Sequence, residues 1–170
     1  NNKGIKLKFN KIILSFIFTI LILLSTSVFS FSKVVGNKII LGSTLSLTGE
    51  NSPESELIKN NQEKIIQKIN EKKNLKINGK IYLIDIIYYN DESKEIRANQ
   101  LIKRLIQNEG VEFLIGSHNF KLSDEVKSLI DENQLVIVSS RDALSIFINA
   151  FQTVNSLDSK KIRKYIIDNK

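Results

Sequence analysis

The 170-residue sequence contains no cysteine, no methionine and no tryptophan, and it has a single proline and a single histidine. The absence of cysteine excludes a disulfide framework, a thiolate metal site and a lipid-modified cysteine anchor. A catalytic histidine needs an orienting acid and a nucleophile, and the sequence shows no such arrangement around His118. We therefore interpret His118 as a solvated loop residue.

Acidic residues are absent before Glu50, and this explains most of the net charge of +7. Lys3, Lys6, Lys8 and Lys11 supply four of these charges, which leaves about +3 for the rest of the chain. A nucleic-acid-binding surface would concentrate basic residues on one face, with aromatic residues between them. The sequence has neither feature, and we expect no nucleic-acid partner.

Signatures of enzymes are also missing from the sequence. We find no nucleophile elbow, no phosphate-cradling glycine loop and no metal-ligand spacing. Glu50, Glu54 and Glu56 are better explained by favourable placement near a helix start than by metal binding. Asp91 and Glu92 are typical of capping residues more than of an acid/base pair. We predict a protein without catalysis, cofactor or metal.

The first 32 residues have the order of a secretory signal peptide. Basic residues occupy positions 1–11, an apolar run spans 12–24, and serines follow at positions 25, 27, 30 and 32. The competing interpretation is a retained anchor, because residues 12–31 are long enough to span a bilayer. Both interpretations predict export of the body, either to the periplasm or held at the inner membrane.

Short apolar runs and helical patterns alternate through the body, at residues 33–140. The runs begin at Ile39, Ile81, Val111 and Leu135, and their β-branched character suits strands covered on both faces. Three groups of apolar residues at helical spacing separate them: Ile58, Ile65, Ile66 and Ile69; Ala98, Leu101, Ile102, Leu105 and Ile106; and Leu122, Val126, Leu129 and Ile130. This order predicts an α/β fold with a doubly wound, mainly parallel sheet of about four strands.

In such a sheet, ligands bind beyond the carboxyl ends of the strands, where the strand order reverses. Loops 44–55, 116–121 and 139–140 are expected at that edge, and they are rich in hydroxyl and amide groups. The second of these loops leads into a helix start, which would favour an anion. Asp91 follows the second strand, where it could cap a helix or meet an ammonium group.

These segments resemble the first lobe of the periplasmic amino-acid-binding proteins, the leucine/isoleucine/valine-type substrate-binding components of ABC transporters. The similarity covers residues 39–140 through IILGSTLSLTG, KIIQKIN, NGKIYLIDIIYYND, LIQNEGVEFLIGS and LVIVSS, in that order. Residues 141–170, with DALSIFINAFQTV and LDSKKIRKYIIDN, resemble helices that in this family return to the first lobe after the second lobe is complete. The resemblance therefore implies a single lobe followed by C-terminal helices, with an internal deletion and truncation.

The resemblance also implies where a ligand would bind. In the family, hydroxyls three and four residues past the third-strand glycine hold the ligand carboxylate, and here those positions are Asn119 and Phe120. The serines after the fourth strand match Ser139 and Ser140, which are equally consistent with a helix cap. The SLTG loop supplies Ser46 and Thr48.

The function that follows is solute binding of the amino-acid transport type, weak or lost because only one lobe is present. The expected partners are a small amino acid or amide and an ABC permease. The alternative is a membrane-anchored protein–protein interaction module, which would pair with a partner or with itself through the uncovered edge.

Overall fold

The computed structural model describes residues 34–117 and 119–169. The predicted signal segment 1–32 and His118 lie outside these residues. The described part contains the following strands and helices in chain order: β1 (Val34–Val35), β2 (Lys38–Leu45), α1 (Ser52–Lys72), β3 (Lys76–Ile77), β4 (Lys80–Ile81), β5 (Leu83–Asn90), α2 (Glu95–Gln107), β6 (Phe113–Ile115), α3 (Asp124–Glu132), β7 (Val136–Val138), α4 (Ala143–Val154) and α5 (Ser159–Asp168).

The main sheet is parallel, with β2 at its centre. β5 pairs along the whole of β2, β6 pairs with the other edge of β2, and β7 pairs with β6. Among the described strands of this sheet, the short β1 alone runs antiparallel, against the first residues of β2. The chain moves from β2 outward to β5, then crosses back over β2 to reach β6. The predicted doubly wound α/β fold is confirmed, and its strand order reverses between β2 and β6.

Two apolar clusters cover the two faces of this sheet. On one face, α1, α4 and α5 pack against side chains such as Leu41 and Phe113. On the other, α2 and α3 pack against Leu114 and its neighbours. This division follows from the strand geometry, since successive side chains point to opposite faces.

The C-terminal helices are part of the first cluster. Phe147 and Phe151 of α4 are fully buried, and their ring centroids lie 5.8 Å and 4.9 Å from that of Phe113. Both pairs are edge-to-face, an arrangement that adds about 0.5–1.5 kcal/mol beyond area burial. The apolar residues of α4 recur at helical spacing and therefore form one face that is buried against the sheet.

The apolar run from Ile81 to Tyr89, predicted as one strand, is divided in the structure. Asn78 and Gly79 have φ of 49° and 76° and join β3 to β4 in a two-residue hairpin. Two consecutive positive φ values match the tight turn that suits the twist of paired strands. The main-sheet strand β5 begins only at Leu83, because Ile81 belongs to this separate hairpin.

Within residues 34–117 and 119–169, no helix is both long and apolar enough to cross a membrane.

Candidate functional site

The carboxyl edge of the parallel sheet gathers the loops that follow β2, β5, β6 and β7. The reversal of strand order between β2 and β6 opens a crevice between their loops, which is the usual ligand position in this class of sheet. All six predicted binding residues fall in these loops. They are Ser46, Thr48, Asn119, Phe120, Ser139 and Ser140.

Ser46 is buried and directs its hydroxyl at a carboxylate. Its Oγ donates to Asp91 Oδ1 over 2.6 Å, and both residues are at most 2% exposed. The pairing of Leu45 with Asn90 at the end of β2 and β5 places the next two residues side by side. Asp91 Oδ1 also accepts from the backbone N–H of Ser93 at 3.0 Å. Asp91 therefore holds the β2 and β5 loops together.

Asp91 caps the turn before α2, while the N-cap position of the helix is Lys94. Lys94 N–H donates to Asp91 O at 3.0 Å, which closes that turn. Glu92 and Ser93 within it have φ of 55° and 59°, a region that non-glycine residues rarely occupy. Asp91 Oδ2 is buried and has no hydrogen-bond partner among the described residues.

Thr48 lies at the exposed end of the same group. Its Oγ1 accepts from Asn90 Nδ2 at 3.0 Å, and its carbonyl accepts from Ser93 Oγ at 3.0 Å. Gly49 has φ of 92°, and a Cβ at this position would collide with Ser93. The loop after β2 is therefore fixed to the loop after β5 by short polar contacts.

Asn119 and Phe120 lie in the loop between β6 and α3. Asn119 is exposed and its backbone N–H donates to Ser117 Oγ at 3.2 Å, whereas Phe120 is half-buried. Asn99 of α2 holds the end of this loop, because its Nδ2 donates to Lys121 O and its Oδ1 accepts from Ser123 N–H.

The helix start after this loop is not a favourable anion site. The N-cap Ser123 accepts from Val126 N–H at 3.3 Å and occupies one of the donors that an anion would use. Asp124 and Glu125 lie in the first turn of α3, where their charges already complement the helix dipole. The expectation of anion binding at this helix end is not supported by the geometry.

Ser139 and Ser140 follow β7 and lie beside the β6 loop. A Cβ on Gly116 would overlap Ser139 Oγ, so glycine permits the close approach of the two loops. Ser139 is exposed, and Ser140 Oγ accepts from Asp142 N–H at 3.2 Å in the turn before α4. The hydroxyl of Ser140 therefore stabilises the helix start, and that of Ser139 lies against Gly116.

The site residues form two groups held by separate hydrogen bonds. Ser46 and Thr48 belong to the β2–β5 group, and Asn119, Phe120, Ser139 and Ser140 belong to the β6–β7 group. An ion pair between Glu54 of α1 and Arg141, which precedes α4, connects the rims of the two groups. Glu54 was expected to stabilise the helix start, and it lies in the first turn of α1 as expected.

Two tyrosines on β5 have perturbed acidity for different reasons. Burial, followed by the nearby Glu63, raises the pKa of Tyr88, whose hydroxyl donates to Gln62 Oε1 at 3.0 Å. The pKa of Tyr89 is raised mainly by its hydrogen bond to Glu109. Neither hydroxyl faces the crevice loops, so both tyrosines serve the fold.

Sequence reasoning missed the Ser46–Asp91 bond and the role of Asn99. The register of neighbouring parallel strands would have indicated the first, because residues one past each strand end must meet. The sequence gives no indication that Asn99 holds the loop before α3, since a polar residue on the exposed face of a helix is common. Among the described residues, no group of three His, Cys, Asp or Glu side chains could hold a metal ion.

No protein-family model matches the chain, and no curated protein matches it. Solved structures do match. An ABC transporter substrate-binding protein from Aeropyrum pernix is 18% identical, with a TM-score of 0.51 over 61% of this chain and 27% of the other. A protein of the same description from Desulfitobacterium hafniense is 22% identical, with a TM-score of 0.47 over 60% of this chain and 28% of the other.

A third structure is the branched-chain amino acid transporter substrate-binding protein LivJ from Streptococcus pneumoniae, in complex with isoleucine. It is 13% identical, with a TM-score of 0.47 over 77% of this chain and 46% of the other. The chain thus spans between about a quarter and under half of the length of these proteins. The structures are substrate-binding proteins, and the likeness to the Aeropyrum protein shows that the chain has the fold of one lobe of a periplasmic binding protein.

Proposed function

We propose that this chain is an exported, non-catalytic solute-binding lobe of the amino-acid ABC-transporter type, with weak affinity for its ligand. The main support for this proposal is that all six residues that the family resemblance assigns to ligand binding lie at the carboxyl edge of a doubly wound sheet. The similar solved structures are substrate-binding proteins, and one of them was solved with isoleucine. An amino acid or small amide is therefore the proposed ligand, and an ABC permease the proposed partner.

Weak affinity follows from the exposure of the site. Thr48, Asn119 and Ser139 are exposed, so a ligand resting on them keeps much of its hydration. Hydrogen bonds in that setting compete with water and contribute only about 0.5–1.5 kcal/mol each. A ligand that is gripped from one side by three or four such bonds should bind with a Kd weaker than about 0.1 mM.

NMR titration of the isotope-labelled chain with leucine, valine and their amides tests this proposal. We expect millimolar binding with amide shifts at Asn119, Ser139 and Ser140, and weaker binding in Asn119→Ala. Asn60→Ala, an exposed amide on α1, is the matched control and should leave the affinity unchanged. Micromolar binding would contradict the one-sided site, and shifts confined to other surfaces would contradict solute binding at this edge.

Phe120 allows a further test of the resemblance. Because the family carries a hydroxyl at this position, Phe120→Thr should strengthen leucine binding several-fold by restoring a hydrogen-bond donor near the ligand carboxylate. An unchanged or weaker affinity would show that Phe120 does not occupy the carboxylate position.

The alternative function, an interaction module, is favoured by two exposed apolar side chains at the same edge. Leu57 lies in the second turn of α1 and Ile96 in the first turn of α2, and they are 69% and 77% exposed. Sedimentation velocity of the full chain should show self-association that Leu57→Ser or Ile96→Ser abolishes, with Val35→Ser at the opposite end of the sheet as control. A monomer at all concentrations would exclude self-pairing through this edge.

A further inference from the structure

The two outer edges of the main sheet differ in how their backbone groups are satisfied. On β5, the backbone N–H of Leu83 donates to Asn37 O, on the side that faces β2. Because alternate residues of a strand direct their backbone groups to opposite sides, the N–H and C=O groups of Ile84 and Ile86 point away from β2, toward the outer edge. Asn70 binds both groups of Ile84, donating to its carbonyl and accepting from its N–H at 2.9 Å each. Ile86 N–H donates to Asp85 Oδ1 at 3.0 Å. Side chains therefore block this edge against a further strand.

Among the described residues, no side chain hydrogen-bonds the outward backbone groups of β7. Val136 N–H donates to Glu112 O at 2.9 Å, and Val138 O accepts from Gly116 N–H at 3.1 Å, both toward β6. Alternate residues of a strand direct their backbone groups to opposite edges, so Ile137 presents its N–H and C=O outward. The strand is Val-Ile-Val, without the lysine, proline or bulge that commonly protects an edge.

Two cavities that share Ile166 in their lining lie beside this edge, and together they are called the groove. Its first part lies between Ile130 of α3 and the α5 residues Ile166 and Ile167, with Val136 and Ile137 at its floor. Its second part continues past Val138, where Ser139, Ser140, Tyr165 and Asn169 line it. Ile167 is 57% exposed, so one wall of the groove offers apolar surface to a partner.

The charge at one end of the groove indicates what the partner carries. Arg163 of α5 reaches across to Asp131 of α3 through one guanidinium nitrogen. Its other terminal nitrogen, Nη1, is buried and has no hydrogen-bond partner among the described residues. A buried charged donor without an acceptor is costly, and a carboxylate is the acceptor that guanidinium geometry fits best.

The geometry points to β7 as the docking edge for an extended peptide that adds as a further strand. The centre of the peptide would be uncharged and β-branched, matching the apolar walls, and a carboxylate would lie at the end beside Arg163. The site adjoins the crevice loops at Ser139 and Ser140, but the pairing edge at Ile137 lies outside those loops, and strand addition there does not depend on solute binding.

The test uses the full chain and two blocked synthetic peptides, acetyl-Glu-Val-Thr-Val-Ser-amide and acetyl-Ser-Val-Thr-Val-Glu-amide. They place the carboxylate beside Arg163 in a parallel and an antiparallel strand respectively. We expect one of them to bind with a Kd of about 0.1–1 mM and to shift the Ile137 amide resonance. The same peptide with N-methyl groups on its central residues cannot pair with β7 and should not bind.

Arg163→Gln should weaken binding of the glutamate-containing peptide about tenfold and leave binding of the same peptide with glutamine in place of glutamate unchanged. Lys164→Gln removes the same charge from the neighbouring position of α5 and is the control. Equal binding of the N-methylated peptide would overturn the proposal even if Arg163→Gln fails to fold. Absence of any shift at β7 with either peptide would also overturn it, as would a dimer through β7 without peptide, which would make a second copy the occupant.

Discussion

The hydroxyl of Ser46 donates a 2.6 Å hydrogen bond to Asp91 inside the protein, where neither side chain reaches solvent. The bond joins the end of the first long strand to the end of the second, across 45 residues of sequence. It therefore fixes the loop that the resemblance assigns to ligand binding without leaving the Ser46 hydroxyl free to contact a ligand.

Ser46→Ala should destabilise the protein by about 1–3 kcal/mol, because it leaves the Asp91 carboxylate buried with one partner fewer. Urea denaturation followed by circular dichroism measures this change. Thr48→Ala removes an exposed hydroxyl from the same loop and should change stability by less than about 0.5 kcal/mol. Equal effects of the two substitutions would show that Asp91 does not depend on Ser46.

Asn70→Ala should also destabilise the protein by about 1–3 kcal/mol, since it removes both partners of the Ile84 backbone. Hydrogen exchange of the Ile84 amide should become faster than in the unchanged protein. Gln67→Ala, one turn earlier on the exposed part of α1, is the control. Unchanged exchange at Ile84 would mean that another group satisfies this edge.

Phe147→Ala should lower the free energy of unfolding by about 3–5 kcal/mol, because the fully buried ring contacts Phe113 and Phe151. Ile96→Ala truncates a side chain that is 77% exposed and should cost far less. Thermal and urea unfolding of both variants give the comparison. A small effect at Phe147 would show that the C-terminal helices are not part of the cooperative core.

Tyr88→Phe should change how stability depends on pH. Burial raises the pKa of Tyr88 above its ordinary value of 10.0, so above that pH the unfolded chain loses the phenolic proton while the folded protein keeps it. The contribution of this residue is complete below pH 10 and is lost as the pH rises. The stability advantage of the unchanged protein over Tyr88→Phe should therefore shrink above about pH 10. A constant difference between pH 8 and 11 would contradict the shift.

Hydrophobic pattern was sufficient to predict the layers of this fold. The α2 positions Ala98, Ile102, Leu105 and Ile106 recur at helical spacing, and all are buried against the sheet. The short β-branched runs likewise mark strands that are covered on both faces. Gly110, three residues past the end of this helix, has φ of 65°, a left-handed conformation that glycine adopts readily.

The hydrophobic pattern did not reveal the boundary between β4 and β5, because the residues from Ile81 to Tyr89 are mostly apolar on both sides of it. The division depends on Tyr82 N–H donating to Leu75 O at 2.9 Å, a contact outside the main sheet. The candidate site shows the same limit. Sequence placed Ser46 and Asp91 at one edge, but only side-chain geometry shows that they bind each other.

The central position of β2 has a consequence for how the chain reaches this structure. β2 comes first among the long strands, yet its paired residues on β5 and β6 follow 45 and 72 positions later in the sequence. Contacts between residues so distant in sequence slow the search for the native state. Phe113 lacks its ring contacts with Phe147 and Phe151 until α4 is made. A chain emerging from a ribosome would thus expose Phe113 on an apolar surface until synthesis has passed α4.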